Sequence, residues 1–339
     1  LTNNQEKLIL RFLICFAGAL LLSFCATAQD NVVAGYVLTG SSRVDHLAGR
    51  RDPIPVVQSS VLTIPLKRSG KLLLIEAEVD GVVGNFIFDT GAPFLVLNQT
   101  YFRSDSRNSR ASVGGITGGS NYQLSRKVEK LTMRGLEYLD INADLTPLGH
   151  IEDARGVKIL GLLGLNLFKA FEIELDVQNN ELILRTTDRS GAVQQGSEFT
   201  RDLVHPIKVS NNAIFVEGMI AGRRLSFVLD TGAETNTLSA DCGKKVMETI
   251  SIKGRSQLMG TGARKVEVLF GEIRELMVGA ESFSNMKTLI TNMGDMSTAY
   301  GTSVDGMLGY DFLARGKVRI NFVKNTIEME YFDIFKSSR

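Results

Sequence analysis

Asp89 and Asp230 each close an apolar run and open the tetrapeptide Asp-Thr-Gly-Ala: FIFDTGA ends at Ala92 and FVLDTGA at Ala233. A carboxylate at the end of a buried strand is held rigidly, and the glycine that follows, Gly91 or Gly232, permits a tight turn with close backbone approach. Two such turns facing one another bring two carboxyl groups within hydrogen-bond distance. Like charges that close do not both ionise cheaply, so the pair shares one proton and titrates as a unit. One member then acts as general base on a water while the other, protonated, polarises a carbonyl, and the roles exchange as an amine departs. The pattern points to amide hydrolysis without metal, nucleophilic side chain or cofactor. Thr90 and Thr231, beneath the turns, are placed to hydrogen-bond across the interface and lock the halves together.

The elements that must position these residues are written twice. LLLIEAEVDGVVGNFIFDTGA, 72–92, lies over AIFVEGMIAGRRLSFVLDTGA, 213–233, without a gap. Glu76 matches Glu217, Gly81 matches Gly222 and Phe86 matches Phe227. Both copies read as strand, short glycine-containing turn, strand. A second matched pair follows, GLLGLNLFKAFEIELDVQNNELIL from Gly161 and GMLGYDFLARGKVRINFVKNTIEM from Gly306, aligning Leu163-Gly164 with Leu308-Gly309 and Asn180 with Asn325. Each half therefore runs hairpin, Asp-Thr-Gly, variable middle, apolar-Gly, closing hairpin. The period is too long for a solenoid unit and predicts two similar domains in one chain.

Composition bounds the remaining classes. A chain of 339 residues holds two ordinary domains, and alternating Val, Ile, Leu and Phe segments punctuated by 33 glycines favour a mostly β architecture. Six prolines and 22% charged residues argue against a largely disordered chain. A formal net charge of +1 and the lack of a long basic stripe speak against a nucleic-acid partner. Only Cys242 lies outside the N-terminal apolar segment, so neither an internal disulfide nor a thiolate metal cluster is expected, and the thiol reads as a small half-buried residue. His46, His150 and His205 show no metal-ligand spacing.

The N-terminus reads as a targeting signal, 1–28: Lys7 and Arg11 precede FLICFAGALLLSF, and Ala26-Thr27-Ala28 offers a small-x-small cleavage site. Export to the periplasm or medium as a soluble chain follows. Two alternatives stay open, an uncleaved anchor over Phe12–Ala28 and lipidation at Cys25, where the bulky Phe24 is unfavourable. Residues 29–60 read as an arm or leader, locally basic through Arg43, Arg50 and Arg51, either a solvated arm or a short prosegment over an acidic cleft. The first domain is placed at 61–185, a polar linker at 186–202 and the second domain at 203–335. Gly115, Ile116, Thr117 and Gly118 in the first domain, and Gly260, Thr261 and Gly262 in the second, sit at comparable distances after each aspartate and are candidate flaps, with ordinary surface turns as the alternative.

The doubled DTGA with downstream Leu162-Leu163-Gly164 and Met307-Leu308-Gly309 resembles the aspartic protease clan, nearest its retroviral-protease-like branch with Ala after Asp-Thr-Gly. The resemblance implies a bilobal acid-protease fold of two β-barrel-like domains related by a pseudo-two-fold axis. It further implies Asp89 and Asp230 as the catalytic pair, supported by Thr90, Gly91, Ala92, Thr231, Gly232 and Ala233. The strands carrying Leu163, Gly164, Leu308 and Gly309 would pass beneath the active-site loops, and flaps would cover an extended peptide. Retroviral relatives commonly pair an Arg after the apolar-Gly with an Asp after Asp-Thr-Gly-Ala. Here those positions hold Leu165 and Tyr310, with Pro93 and Glu234 opposite, so that ion pair is not expected. Ala92 and Ala233 supply no hydroxyl to the outer carboxylate oxygens, which predicts activity at mildly acidic to near-neutral pH.

These features lead to an exported endopeptidase acting as a monomer, with no cofactor or metal. A catalytically inert peptide-binding protein using the same cleft is the alternative from another class. Pairing of each half with another chain is a third, less simple than intramolecular pairing because a tether raises effective concentration.

Overall fold

The equivalent hairpins show how the two copies fold. The computed structural model describes residues 37–38, 50–103, 113–115, 118–120, 124–259 and 265–336. After the short strands β1 (Val37–Leu38), β2 (Val56–Val57), β3 (Val61–Pro65) and β4 (Lys67–Ser69) comes the first long hairpin, β5 (Leu72–Val79) and β6 (Val82–Asp89). In β5 only Glu76 and Glu78 are exposed, and β6 passes from the exposed Val82 and Val83 to a buried end at Phe86–Asp89. A two-residue turn joins the strands, with Asp80 at φ 48° and Gly81 at φ 83°, the left-handed pair that suits the twist of a hairpin.

The first lobe continues through β7 (Val96–Asn98), β8 (Val113–Gly115), β9 (Gly118–Ser120), β10 (Leu124–Met133) and β11 (Leu136–Thr146). The helix α1 (Gly149–Arg155), β12 (Ile159–Gly164), β13 (Phe171–Asp176) and β14 (Glu181–Thr186) complete it. Strand order β10-β11-β7-β12-β6-β5, closed by pairing of β10 with β5, makes a barrel.

The second lobe repeats this with β15 (Leu203–Ser210), β16 (Ala213–Ile220), β17 (Arg223–Leu229), β18 (Asn236–Ser239), α2 (Lys244–Met247), β19 (Ile250–Met259), β20 (Lys265–Val278) and β21 (Glu281–Thr291). The helix α3 (Gly294–Tyr300), β22 (Gly306–Leu308), α4 (Tyr310–Leu313), β23 (Gly316–Asn321) and β24 (Thr326–Tyr331) follow. Here the barrel order is β20-β21-β18-β22-β17-β16, closed by β20 on β16. The strand β16 repeats the burial pattern of β5 residue for residue, and its turn uses Ala221 and Gly222 at φ 51° and 77°.

The closing hairpins do not stay within their own lobes. Glu172 to Leu175 of β13 pair antiparallel with Val318 to Asn321 of β23, giving a shared six-stranded sheet ordered β3-β14-β13-β23-β24-β15. Each half supplies three strands, so the axis relating the lobes passes between β13 and β23. The largest apolar cluster runs through both lobes, from Leu62 to Tyr331, while two smaller clusters lie within single lobes. The described residues accordingly form one compact unit.

Five charged residues, Glu172, Glu174, Asp176, Arg185 and Arg319, are buried in that sheet, and four of them meet. Glu174 accepts from Arg185 Nη1 at 2.8 Å and from Arg319 Nη2 at 2.6 Å, and Glu172 lies 3.5 Å from Arg319 Nε. The segment between lobes covers them: Ser197 Oγ accepts from both arginines at 3.0 Å, and Phe199 stacks on the Arg319 guanidinium at 3.9 Å. The stretch expected as a linker is thus a strap tied to the seam it crosses. No helix among the described residues is long and apolar enough to cross a membrane.

Candidate active site

Asp89 ends β6, and Asp230 follows directly on the equivalent strand β17. Both carboxylates are buried, at 2% and 0% exposure. Each is folded onto its own turn: Asp89 Oδ1 accepts from the N–H groups of Gly91 at 2.9 Å and Ala92 at 3.0 Å, and Asp230 Oδ1 from Gly232 at 2.8 Å. Each also lies against the glycine of the other turn. A Cβ on Gly91 would stand 2.5 Å from Asp230 Cγ, and one on Gly232 would stand 2.6 Å from Asp89 Cγ. No side chain but hydrogen fits at either position, so close approach of backbone to carboxylate explains both glycines.

The threonines hold this arrangement. Thr90 N–H donates to Thr231 Oγ1 and Thr231 N–H to Thr90 Oγ1, both at 3.0 Å. The hydroxyls in turn donate across the interface to the carbonyls of Leu229 at 2.8 Å and Phe88 at 2.7 Å. Four reciprocal bonds among buried groups, all satisfied, fix the relative position of the turns and hence of the two acids.

The apolar-Gly strands run beside them. In β12, Gly164 pairs in parallel with Asp89 and the buried Leu163 with Phe88; in β22, Leu308 pairs with Leu229, and Asp230 N–H donates to the Leu308 carbonyl at 2.9 Å. Gly164 packs on the Phe94 backbone and Gly309 on the Ala233 carbonyl, with no room for a Cβ. Leu165 and Tyr310 N–H groups then close equivalent 2.8 Å bonds to the carbonyls of Ala92 and Ala233.

Asp230 is pushed well above the ordinary aspartate value of 3.8, first by burial, then by the charge of Asp89 and a hydrogen bond to it, with the Gly232 and Ala233 amides opposing. Its Oδ2 is buried and has no protein N–H or O–H donor among the described residues. A single proton held between the acids satisfies that oxygen and removes the repulsion at once.

An aspartyl protease family model matches residues 75–167 and 216–312, one stretch in each lobe and together more than half of the chain. The chain belongs to the aspartyl protease family. It is also similar to a solved structure, an aspartic proteinase from Irpex lacteus, at a TM-score of 0.49 and 12% identity, covering 82% of this chain and 99% of that one. No curated protein matches it in sequence.

In this aspartyl protease the candidate flap of the first lobe is the β8–β9 hairpin, which holds Gly115 and Gly118 in paired strands. Ile116 and Thr117, and Gly260, Thr261 and Gly262 between β19 and β20, lie outside the described residues. Strand β8 has a partner from the same chain: Val37 and Leu38 of β1 pair antiparallel with Gly114 and Val113. The helix α3 of the second lobe lies against both strands. Downstream of β1, Arg50 pairs with the buried Asp144 at 2.6 Å and stacks over Phe94 at 4.7 Å, two residues beyond Ala92. Strand β1 is therefore held on β8, and Arg50 beside the turn that follows Asp89.

Two residues at the site went unseen in the sequence. Arg155 ends α1 and pairs with the buried Glu234 of the other lobe's turn, and the Lys71 N–H adds a bond to the same carboxylate at 3.3 Å. Tyr300 ends α3 and donates its hydroxyl to the Gly91 carbonyl at 3.0 Å. Glu234 thus has a cationic partner, but from the opposite lobe rather than from the residue after the apolar-Gly. Both helices are seven residues long and both stop at a left-handed glycine, Gly156 and Gly301, each at φ 62°. That shared spacing was the available signal. Among the described residues no group of three or more His, Cys, Asp or Glu side chains is arranged to hold a metal. Burial lowers the pKa of His150 and His205. Cys242 is fully rather than half buried, and burial raises its thiol.

Proposed function

We propose that this chain is an exported endopeptidase that cleaves peptide bonds with a water activated by Asp89 and Asp230. The observation that carries the reading is the reciprocal seating of each buried carboxylate against the other turn's glycine. In the reacting complex the charged acid takes a proton from the water, and the protonated acid donates to the scissile carbonyl as the tetrahedral centre forms. On collapse the first acid gives its proton to the departing amine while a hydroxyl of the tetrahedral centre returns one to the second acid, and the pair ends as it began. An extended peptide suits the site because β8, once β1 leaves its edge, offers backbone donors and acceptors to a strand laid along it. Export rests on the basic, apolar and small-residue order of 1–28.

Digestion of a mixed peptide library by residues 29–339, with Asp89→Asn and Asp230→Asn as controls, tests the reading. A peptidase loses turnover in both variants and keeps peptide binding. No cleavage by the unaltered chain, with retained binding, would instead identify an inert peptide binder. N-terminal sequencing of material recovered outside the cytoplasm tests export.

A further inference from the structure

The segment that precedes β2 borders a cavity of about 290 Å³ on the first lobe. Phe94, Ile141 and Leu167 give it an apolar wall, and none of its lining residues belongs to either Asp-Thr-Gly-Ala turn. The volume stands at the low end for small-molecule sites and suits a fragment the size of one capped amino-acid residue.

Two residues of the wall hold a buried polar atom with no partner among the described residues: Arg50 Nη1, a donor, and Asn166 Oδ1, an acceptor. Asn166 is only 8% exposed. Arg50 is fixed from two sides, its Nη2 on Asp144 at 2.6 Å and its guanidinium over the Phe94 ring at 4.7 Å. Nearly all buried polar groups in folded chains are paired, so a donor and an acceptor left over in one wall favour an entrant that supplies both partners.

Charge narrows the entrant. Asp52 pairs with Lys169 at 2.6 Å and Asp140 with Lys127 at 2.7 Å, so both acids of the lining are matched. Arg51, in the same lining, is exposed and has no carboxylate partner among the described residues. The unspent cation and the Arg50 donor call for an anion, and the Asn166 oxygen calls for an N–H close to it.

The mouth is apolar. Leu139 lines the cavity at 55% exposure, and Glu137, two residues earlier, pairs with Val56 of β2. Val56 is 51% exposed, and Ile54, two residues before it, is 86% exposed. Side chains two apart share a face of an extended chain, so Ile54, Val56 and Leu139 gather beside the cavity and would lose water contact under an apolar side chain.

We propose that this cavity binds the C-terminal residue of a peptide that ends in an apolar side chain. The terminal carboxylate meets Arg50 Nη1 and Arg51, the N–H of the same residue meets Asn166 Oδ1, and the side chain lies on Ile54, Val56 and Leu139. Occupancy of this site is read without turnover, so the inference and the peptidase reading stand or fall separately.

Isoleucine methyl NMR reads the site, because Ile54 lies at the mouth and Ile141 in the wall. Titration of the chain with N-acetylleucine should shift both methyls saturably. N-acetylleucinamide lacks the charge and N-acetylglycine lacks the side chain. Each should bind roughly tenfold more weakly, the worth of one charge-assisted hydrogen bond or one buried leucine side chain. Arg51→Gln should bring the same loss for N-acetylleucine with an unchanged melting temperature, since the residue is exposed. Leu139→Ser should narrow the preference for leucine over glycine. Equal affinity for the acid and its amide, or N-acetylleucine binding untouched by Arg51→Gln, would overturn the proposal. Tighter binding of the amide would assign the cavity to an internal peptide segment and overturn it too. So would shifts confined to isoleucines outside the cavity, or no saturable shift at all.

Discussion

Glu174 and Arg319 meet across the seam between the lobes, carboxylate to guanidinium at 2.6 Å, in the middle of the sheet that both halves build. Burial by itself raises the Glu174 carboxyl, but hydrogen bonds from Arg319 and Arg185 and their charges outweigh it and hold the pKa below the ordinary 4.5. A folded-state value below the unfolded one contributes stability that is present above the unfolded pKa and is lost as pH falls through the folded one. Thermal melts should therefore show falling stability below pH 4.5, the ordinary glutamate value. Glu174→Gln should cost about 3–5 kcal/mol at neutral pH, by leaving the buried Arg185 without its carboxylate and Arg319 with Glu172 alone, and should flatten this acid dependence. A melt of Glu174→Gln superimposable on the parent would refute the assignment.

Because Asp230 is raised by burial and by Asp89, the singly protonated pair survives to higher pH than an isolated aspartate would. The basic limb of the pH–rate profile, where Asp230 loses its proton, is expected above the ordinary value of 3.8. The optimum then falls at mildly acidic to near-neutral pH. Hydrolysis of a peptide library across buffers checks this, and a maximum in strong acid would contradict it.

Gly91→Ala is expected to abolish turnover while sparing most of the fold. Its Cβ would land 2.5 Å from Asp230 Cγ, so the carboxylates must separate. A loss of at least about 100-fold in kcat is expected, since a general base displaced from its geometry forfeits that much. Retained circular dichroism with retained kcat would show that the acids need not touch.

Removal of residues 29–49 should lower KM for peptides several-fold and leave kcat unchanged. In the proposed reading an incoming peptide would take the edge of β8 that β1 occupies, and the truncated chain would keep Arg50 for the buried Asp144. An unchanged KM would place peptide binding away from that edge.

Locally encoded features were readable without coordinates. The hairpins follow from apolar runs that alternate in burial only over 75–79 and 216–220, with left-handed turns at 80–81 and 221–222, patterns that neighbouring residues impose through sterics and periodicity. The Asp-Thr-Gly-Ala repeat marked its own chemistry because Asp, Thr and Gly each answer a separate demand at one turn. The helices α1 and α3 were not foreseen: GHIEDAR and GDMSTAY are short, and their start residues Leu148 and Met293 make no side-chain cap.

What the amino-acid order determined alone was the duplication, the strand pattern and the identity of the paired acids, since each depends on interactions within a few residues. Tertiary structure decided the rest. It joined the closing hairpins into one sheet, tied the connecting strap to Arg319, and sent Arg155 and Tyr300 across to opposite turns. Such contacts join residues far apart in the chain, where an arginine in one copy and a tyrosine in the other look like ordinary variation. Only the packing of the two barrels against each other brings them within a hydrogen bond of the aspartate turns.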